Sequence, residues 1–364
     1  MPDYAYFNTR IRAMQGRLLT REHYEVLLAQ DTTAGLLERL MDTPYAEALE
    51  TTRPQFPATR SPLTETGQPS TDNGSLFDEA LRRDLAATLS KLRRLASDRL
   101  LELMEVLLLR WDAYNLKTIL RGKRASAPIE EILASTFPVG ALDEIALAEL
   151  ARAPSLRGLA DTLWTWRVPL ARPIRDGLKL LGETDTLQPL EFELDRFALA
   201  QALGAVADGD DNDKVVREYL RLLVDKTNLL TALRYLEERS ALSPIEAARH
   251  FLEADGQFTR THYDAVVEAR DLRHGLSLLA DTPYRWLTKT FAEGEPISPP
   301  LVERQLDRMV IRKAVGLSRH DPLGIGMPMA YLERKLNEVR NLRMIVRGKA
   351  LGMGAEQIAE WLIL

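Results

Sequence analysis

Apolar positions in this chain recur at helical spacing. Leu332, Leu336, Val339, Leu342 and Val346 are separated by four, three, three and four residues, which lines one helix face. The stretch Leu85–Arg110 is rich in Leu, Ala, Arg and Glu, all good helix formers. Alternating β-branched runs are nearly absent, so the pattern predicts an all-α protein. Three stretches interrupt it. Residues 51–75, with four prolines and little apolar content, predict a loop or flexible insertion. Shorter breaks are expected at Pro322–Pro328 and at the acidic segment Gly204–Asp213, which lacks calcium-loop spacing and is expected to be a solvated turn.

An internal repeat organises the chain. Thr20-Arg21-Glu22-His23-Tyr24 returns as Thr259-Arg260-Thr261-His262-Tyr263, and Asp42-Thr43-Pro44-Tyr45 returns as Asp281-Thr282-Pro283-Tyr284, both at an offset of 239. Asp161-Thr162 lies midway and is taken as a worn third copy. A second series occurs three times at steps of 113: Asp112-x-x-Asn115-Leu116, Asp225-x-x-Asn228-Leu229 and Glu338-x-x-Asn341-Leu342. Six positions after each Asn stands an Arg, namely Arg121, Arg234 and Arg347. Glu191-x-x-Leu194-Asp195 matches Glu303-x-x-Leu306-Asp307 and, more weakly, Asp78-x-x-Leu81-Arg82. The chain therefore divides into three homologous helical repeats, 1–125 (with the insertion 51–75), 126–240 and 241–364. Three units of this size can close around a pseudo-threefold axis as a ring or funnel, or extend as three lobes.

Asn is a mediocre residue inside a helix because its amide competes for backbone bonds. Its return at Asn115, Asn228 and Asn341 points to a buried hydrogen-bonding role, with the acid three residues earlier on nearly the same face. Arg121-Gly122-Lys123 and Arg347-Gly348-Lys349 read as helix ends, glycine closing the helix and cations meeting its negative pole. His23 and His262 are repeat equivalents, which favours packing or capping over metal ligation.

Composition narrows the function. The 364 residues are 45% hydrophobic and 28% charged, with a formal net charge of -5, so no bulk attraction to nucleic acid is expected. Cysteine is absent, which excludes thiolate metal sites, disulfides and cysteine nucleophiles. No apolar run approaches the roughly 20 residues of a membrane span, and no signal-peptide pattern opens the chain, so it is expected to stay inside the cell without inserting in a membrane. HExxH, P-loop and nucleophile-elbow patterns are lacking, so no catalytic residue, cofactor or metal is expected.

Tyr4–Arg12 (YAYFNTRIR), Asn115–Lys123 (NLKTILRGK) and Glu338–Lys349 (EVRNLRMIVRGK) resemble the C subunit of the prokaryotic V/A-type ATPases, which is the counterpart of the eukaryotic d subunit. The resemblance spans essentially the whole chain; the middle copy departs from it at Leu233-Arg234-Tyr235, which lacks the RGK ending. It implies three helical domains forming a funnel with pseudo-threefold symmetry, on the cytoplasmic face of the proteolipid rotor ring. It further implies that the central-stalk D and F subunits sit in its mouth and that the protein, a monomer in the complex, transmits torque without chemistry. Two rivals remain: a helical scaffold binding other proteins, and a helical enzyme using acids such as Asp195 and Asp307.

Overall fold

Short polar residues start many of this protein's helices. In the computed structural model, Thr32, Asp143, Ser155 and Asp271 each precede a helix and accept a bond from the backbone amide three residues on, at 2.8–3.1 Å. The structure describes residues 4–52, 71–96, 98–184, 186–207, 209–237, 244–254, 256–291, 294, 296–320 and 322–364. Among these, every regular element is an α-helix. The first five are α1 (Tyr4–Gln15), α2 (Arg21–Leu28), α3 (Thr33–Leu40), α4 (Ala46–Thr52) and α5 (Thr71–Leu95). Next come α6 (Asp98–Arg124), α7 (Ile129–Ala134), α8 (Glu144–Arg152), α9 (Leu156–Thr165), α10 (Ala171–Thr184) and α11 (Gln188–Ala205). They are followed by α12 (Asp211–Glu237), α13 (Pro244–Arg249), α14 (Arg260–Glu268), α15 (Leu272–Ser277) and α16 (Trp286–Thr290). The chain ends with α17 (Pro299–His320), α18 (Gly326–Ala350) and α19 (Ala355–Trp361).

The helices form two compact units, residues 1–198 with 322–364, and residues 199–321. In the first, α6 packs on α7 and α8, and α18 packs on α1, α3, α5, α6 and α19. Leu116, Ile119 and Leu120 of α6 share a core with Leu147 and Leu150 of α8, Leu159 and Leu163 of α9, and Leu190 and Leu194 of α11. In the second unit α12 packs on α14, α15 and α17. Leu229 and Leu233 of α12 meet Tyr263 and Val266 of α14 and Val302 and Leu306 of α17. Each such fully buried aliphatic side chain contributes about 1.5–3 kcal/mol relative to exposure.

The interruptions are narrower than the pattern implies. All four prolines of segment 51–75 fall in 53–70, outside the described residues. Its proline-free ends are helical, with Thr51 and Thr52 closing α4 and residues 71–75 opening α5. Pro328 sits in the first turn of α18, where a missing N–H removes no helical bond. Asp211 and Asp213 belong to the first turn of α12, at the positive end of its dipole. Asp210 caps that helix, accepting from the amides of Asn212 (2.8 Å) and Asp213 (3.1 Å).

Two local readings are corrected. Gly122 and Gly348 do not terminate their helices, which run on to Arg124 and Ala350. The left-handed residues after those helices are Ser126 (φ 54°) and Gly352 (φ 74°), with Ala127 N–H bonding Gly122 O and Met353 N–H bonding Gly348 O, both at 2.9 Å. Asp161-Thr162 lies inside α9, whereas Asp42-Thr43 and Asp281-Thr282 follow α3 and α15. Pro44 and Pro283 stand twelve residues after the caps Thr32 and Asp271; in the middle copy the corresponding Pro-x pair is Pro169-Leu170, fourteen residues after the cap Ser155.

Candidate functional site

The repeated residues sit on the three long helices α6, α12 and α18, and each makes a comparable set of bonds. Asn115 of α6 is fully buried; its amide donates to Phe137 O at 2.6 Å, and its carbonyl accepts from Phe137 N–H at 2.7 Å. Asn228 of α12 makes the same pair with Leu252, at 3.1 and 2.8 Å. Asn341 of α18 makes it with Ile363, at 2.8 and 3.1 Å. An amide carries one donor face and one acceptor face, so a single Asn clamps the N–H and the C=O of one residue as a neighbouring strand would. That use accounts for an otherwise unfavourable helix residue.

The acid one turn earlier holds a second point of the following segment. Asp112 accepts from the amides of Ala141 (2.8 Å) and Leu142 (3.1 Å). Asp225 accepts from Gln257 (2.9 Å) and Phe258 (3.1 Å), and also from the Tyr284 hydroxyl (2.8 Å). Glu338 accepts from Leu19 N–H (2.5 Å) and from the Tyr45 hydroxyl (2.7 Å). These contacts place Leu19 and Tyr45, near the start of the chain, in the role that Phe258 and Tyr284 play for Asp225.

A pair of glycines explains why two acids are Asp and the third is Glu. A Cβ built on Gly140 would lie 2.1 Å from Asp112 Oδ1, and one on Gly256 would lie 1.9 Å from Asp225 Oδ1. The short acid works only where the backbone comes this close. Arg17 stands at the corresponding place before Leu18-Leu19, and there the longer Glu338 spans the extra distance. The repeat motif itself does not mark these glycines, although each stands two residues before the second amide that its acid holds.

Electrostatics follow burial. Burial pushes the Asp112 carboxyl up to about 6, against the opposing pull of the Ala141 and Leu142 amides and Arg93. Asp225 is raised for the same first reason, with the Tyr284 bond opposing. Lys335 of α18, buried beside Glu338 (3.0 Å) and Asp84 (2.8 Å), would be lowered by burial, but the two carboxylates outweigh this and raise it.

The repeat arginines all reach an acid on a neighbouring helix. Arg121 Nε donates to Glu191 of α11 at 2.6 Å, and Arg234 donates to Glu303 of α17 at 2.7 Å. Arg347 lies 3.8 Å from Asp78 of α5. The weak match of Asp78 to Glu191 and Glu303 thus corresponds to a shared contact. Gly122 and Gly348 let α6 and α18 approach Ile132 of α7 and Ile358 of α19, where an added Cβ would meet isoleucine carbons at 2.4 and 2.7 Å. In α12 Tyr235 occupies that place and is itself buried. His23 and His262 complete capping boxes with Thr20 and Thr259 through Nδ1, at 2.8 and 2.9 Å from the hydroxyls.

The geometry is that of a frame held by internal bonds. Asp195 and Asp307, the acids of the enzyme reading, are occupied by Lys117 (2.6 Å) and Lys226. Among the described residues no group of His, Asp and Glu forms a metal-binding cluster. No helix among them is long and apolar enough to cross a membrane.

Comparison with known proteins places this frame. The chain is similar to the A-type ATP synthase C subunit of Methanosarcina acetivorans, 28% identical over 369 residues, covering 100% of this chain and 93% of the relative. It is 29% identical over 367 residues to the A-type ATP synthase C subunit of Methanococcoides burtonii, covering 100% and 94%. The equivalent protein of Thermococcus onnurineus is 27% identical over 360 residues, covering 98% and 89%. A sequence profile of the family described as ATP synthase (C/AC39) subunit matches residues 7–361, and with that coverage the chain belongs to this family.

Proposed function

We propose that this protein is the non-catalytic C subunit in the rotor of a V/A-type rotary ATPase or ATP synthase. It acts as a socket between the central-stalk D and F subunits and the membrane proteolipid ring, transmitting torque for ATP-coupled ion transport. The observation that carries the reading is the match of nearly the whole chain to the family, together with three copies of one clamp on α6, α12 and α18. In this reading the repeats 1–125, 126–240 and 241–364 form a funnel with pseudo-threefold symmetry, and Asp112, Asn115 and Arg121 with their counterparts stiffen its wall. Torque without slip needs walls that do not yield, and a buried bidentate Asn resists shear better than apolar contact alone. Its place is peripheral, on the cytoplasmic side, reached through the ring and without a membrane helix of its own.

The test is co-purification with a co-expressed D–F pair across a salt series, followed by addition of detergent-solubilised ring. A one-to-one-to-one complex that then captures the ring is expected, weakening with salt where charge orients the partners. Failure to associate with folded D–F at low salt sinks the stalk reading and leaves a helical scaffold in its place.

A further inference from the structure

The second unit contains a cavity of about 530 Å³, a size typical of small-molecule sites. Three cations line it, Arg308, Arg312 and Lys313 of α17, against one carboxylate, Glu218 of α12. His320 adds a further nitrogen donor or acceptor at the end of the same helix. Trp286 and Met309, partly buried against the core of this unit, supply an apolar wall.

The cations form a row along the helix. Arg304, Arg308 and Arg312 stand four residues apart on α17, a spacing at which like charges face one another. Burial first, then Arg304 and Arg312, push the Arg308 guanidinium below its ordinary range. A polyanion in the cavity would meet Arg308, Arg312 and Lys313 together. Guanidinium forks match phosphoryl oxygens in bidentate geometry, and a lysine adds a compact charge. The indole offers an apolar face to whatever the phosphoryl group carries.

We propose that this cavity binds a phosphorylated small molecule. Its phosphoryl oxygens sit on Arg308, Arg312 and Lys313, and its apolar or planar part rests against Trp286 and Met309. The site stands whether or not the adaptor reading holds.

Calorimetric titration of the full chain with pyrophosphate and with ADP at low ionic strength tests it. Saturable binding of both is expected, tighter for ADP because only ADP reaches the indole. Arg312→Gln, an exposed position, is expected to weaken both by about tenfold, the scale of one charge-assisted bond. Trp286→Leu should weaken ADP alone. Lys313→Gln, also exposed, repeats the test should Arg312→Gln fold poorly. Anionic vesicles whose binding is displaced by pyrophosphate would identify a lipid headgroup as the phosphoryl source, through the same chemistry. Absence of saturable binding at about 1 mM, near the weak end of specific affinity, overturns the proposal. So does affinity unchanged in the variants, or retention of an Asp/Glu-rich peptide that pyrophosphate does not compete.

Discussion

The Tyr45 hydroxyl donates to Glu338 at 2.7 Å across 293 positions of chain, and Tyr284 donates to Asp225 at 2.8 Å across only 59. The two bonds are one contact made twice. In the second unit the acid lies on α12 and the phenol in the turn between α15 and α16. In the first unit the phenol comes from near the start of the chain and the acid from near its end. Contacts of this kind tie the terminal segments into one core. Lys335 tightens the junction, donating to the Tyr45 oxygen at 2.9 Å and pairing with Asp84 and Glu338.

That junction should be sensitive to loss of its cation. Lys335→Met leaves the buried Glu338 carboxylate without its ammonium, and a cost of about 3–5 kcal/mol is expected in urea unfolding. Adding Glu338→Gln should restore a substantial part, because the orphaned charge is then gone. Equal instability of single and double variants would mean that packing, and not charge, dominates there.

Asp112 gives a pH signature. Its carboxyl is raised from 3.8 to about 6 in the folded protein, so the folded state holds the proton more tightly than the unfolded chain. The resulting stabilisation is full below about 3.8 and is lost as pH rises through 6, on the order of 2–3 kcal/mol in all. Asp112→Asn removes that titration. Subtracting its stability curve from that of the wild type between pH 4 and 7 should leave a fall with rising pH; a flat difference refutes the raised carboxyl.

The three asparagines should not be equal. Asn115→Ala and Asn228→Ala each lose two buried bonds to the backbone N–H and C=O of one residue, and about 2–4 kcal/mol of destabilisation is expected. The backbone N–H and C=O of Ile363 held by Asn341 are only partly buried and can rehydrate, so Asn341→Ala should cost about 1 kcal/mol. The ordering can be read from denaturant midpoints of the three variants.

Gly122→Ala and Gly348→Ala oppose intrinsic propensity. Inside a helix this change normally stabilises by up to about 1 kcal/mol. Here the new methyl meets Ile132 or Ile358, so a net loss of about 1–3 kcal/mol is expected. Gly348→Ala combined with Ile358→Val should recover part of it, a coupling that a double-mutant cycle on thermal stability measures.

The helical class and the tripled motif were legible in the sequence because both are local or periodic. Apolar spacing near 3.6 reports a helix face, and Asn115, Asn228 and Asn341 return at one interval. Even the weak match of Asp78 to Glu191 and Glu303 corresponds to a shared ion pair. Reading failed where one residue type serves two purposes. Glycine before the end of a helix usually closes it, yet Gly122 and Gly348 make room for isoleucines, and Ser126 and Gly352 turn the chain. Aspartate followed by threonine repeats the motif at Asp161, but there the pair lies inside α9, whereas Asp42 and Asp281 follow their helices.

The sequence by itself thus determined that this chain is helical, repeated and a relative of the ATP synthase C/AC39 subunits, since periodicity and motif spacing are one-dimensional properties. Only the tertiary structure decided which residue's backbone each asparagine clamps and that Leu19 and Tyr45 complete the site of Glu338. The same holds for the cavity at which Arg308, Arg312 and Trp286 meet. Those pairings depend on distances between segments far apart in the chain. Such distances are set by helix packing and loop closure, which no local pattern of residues encodes.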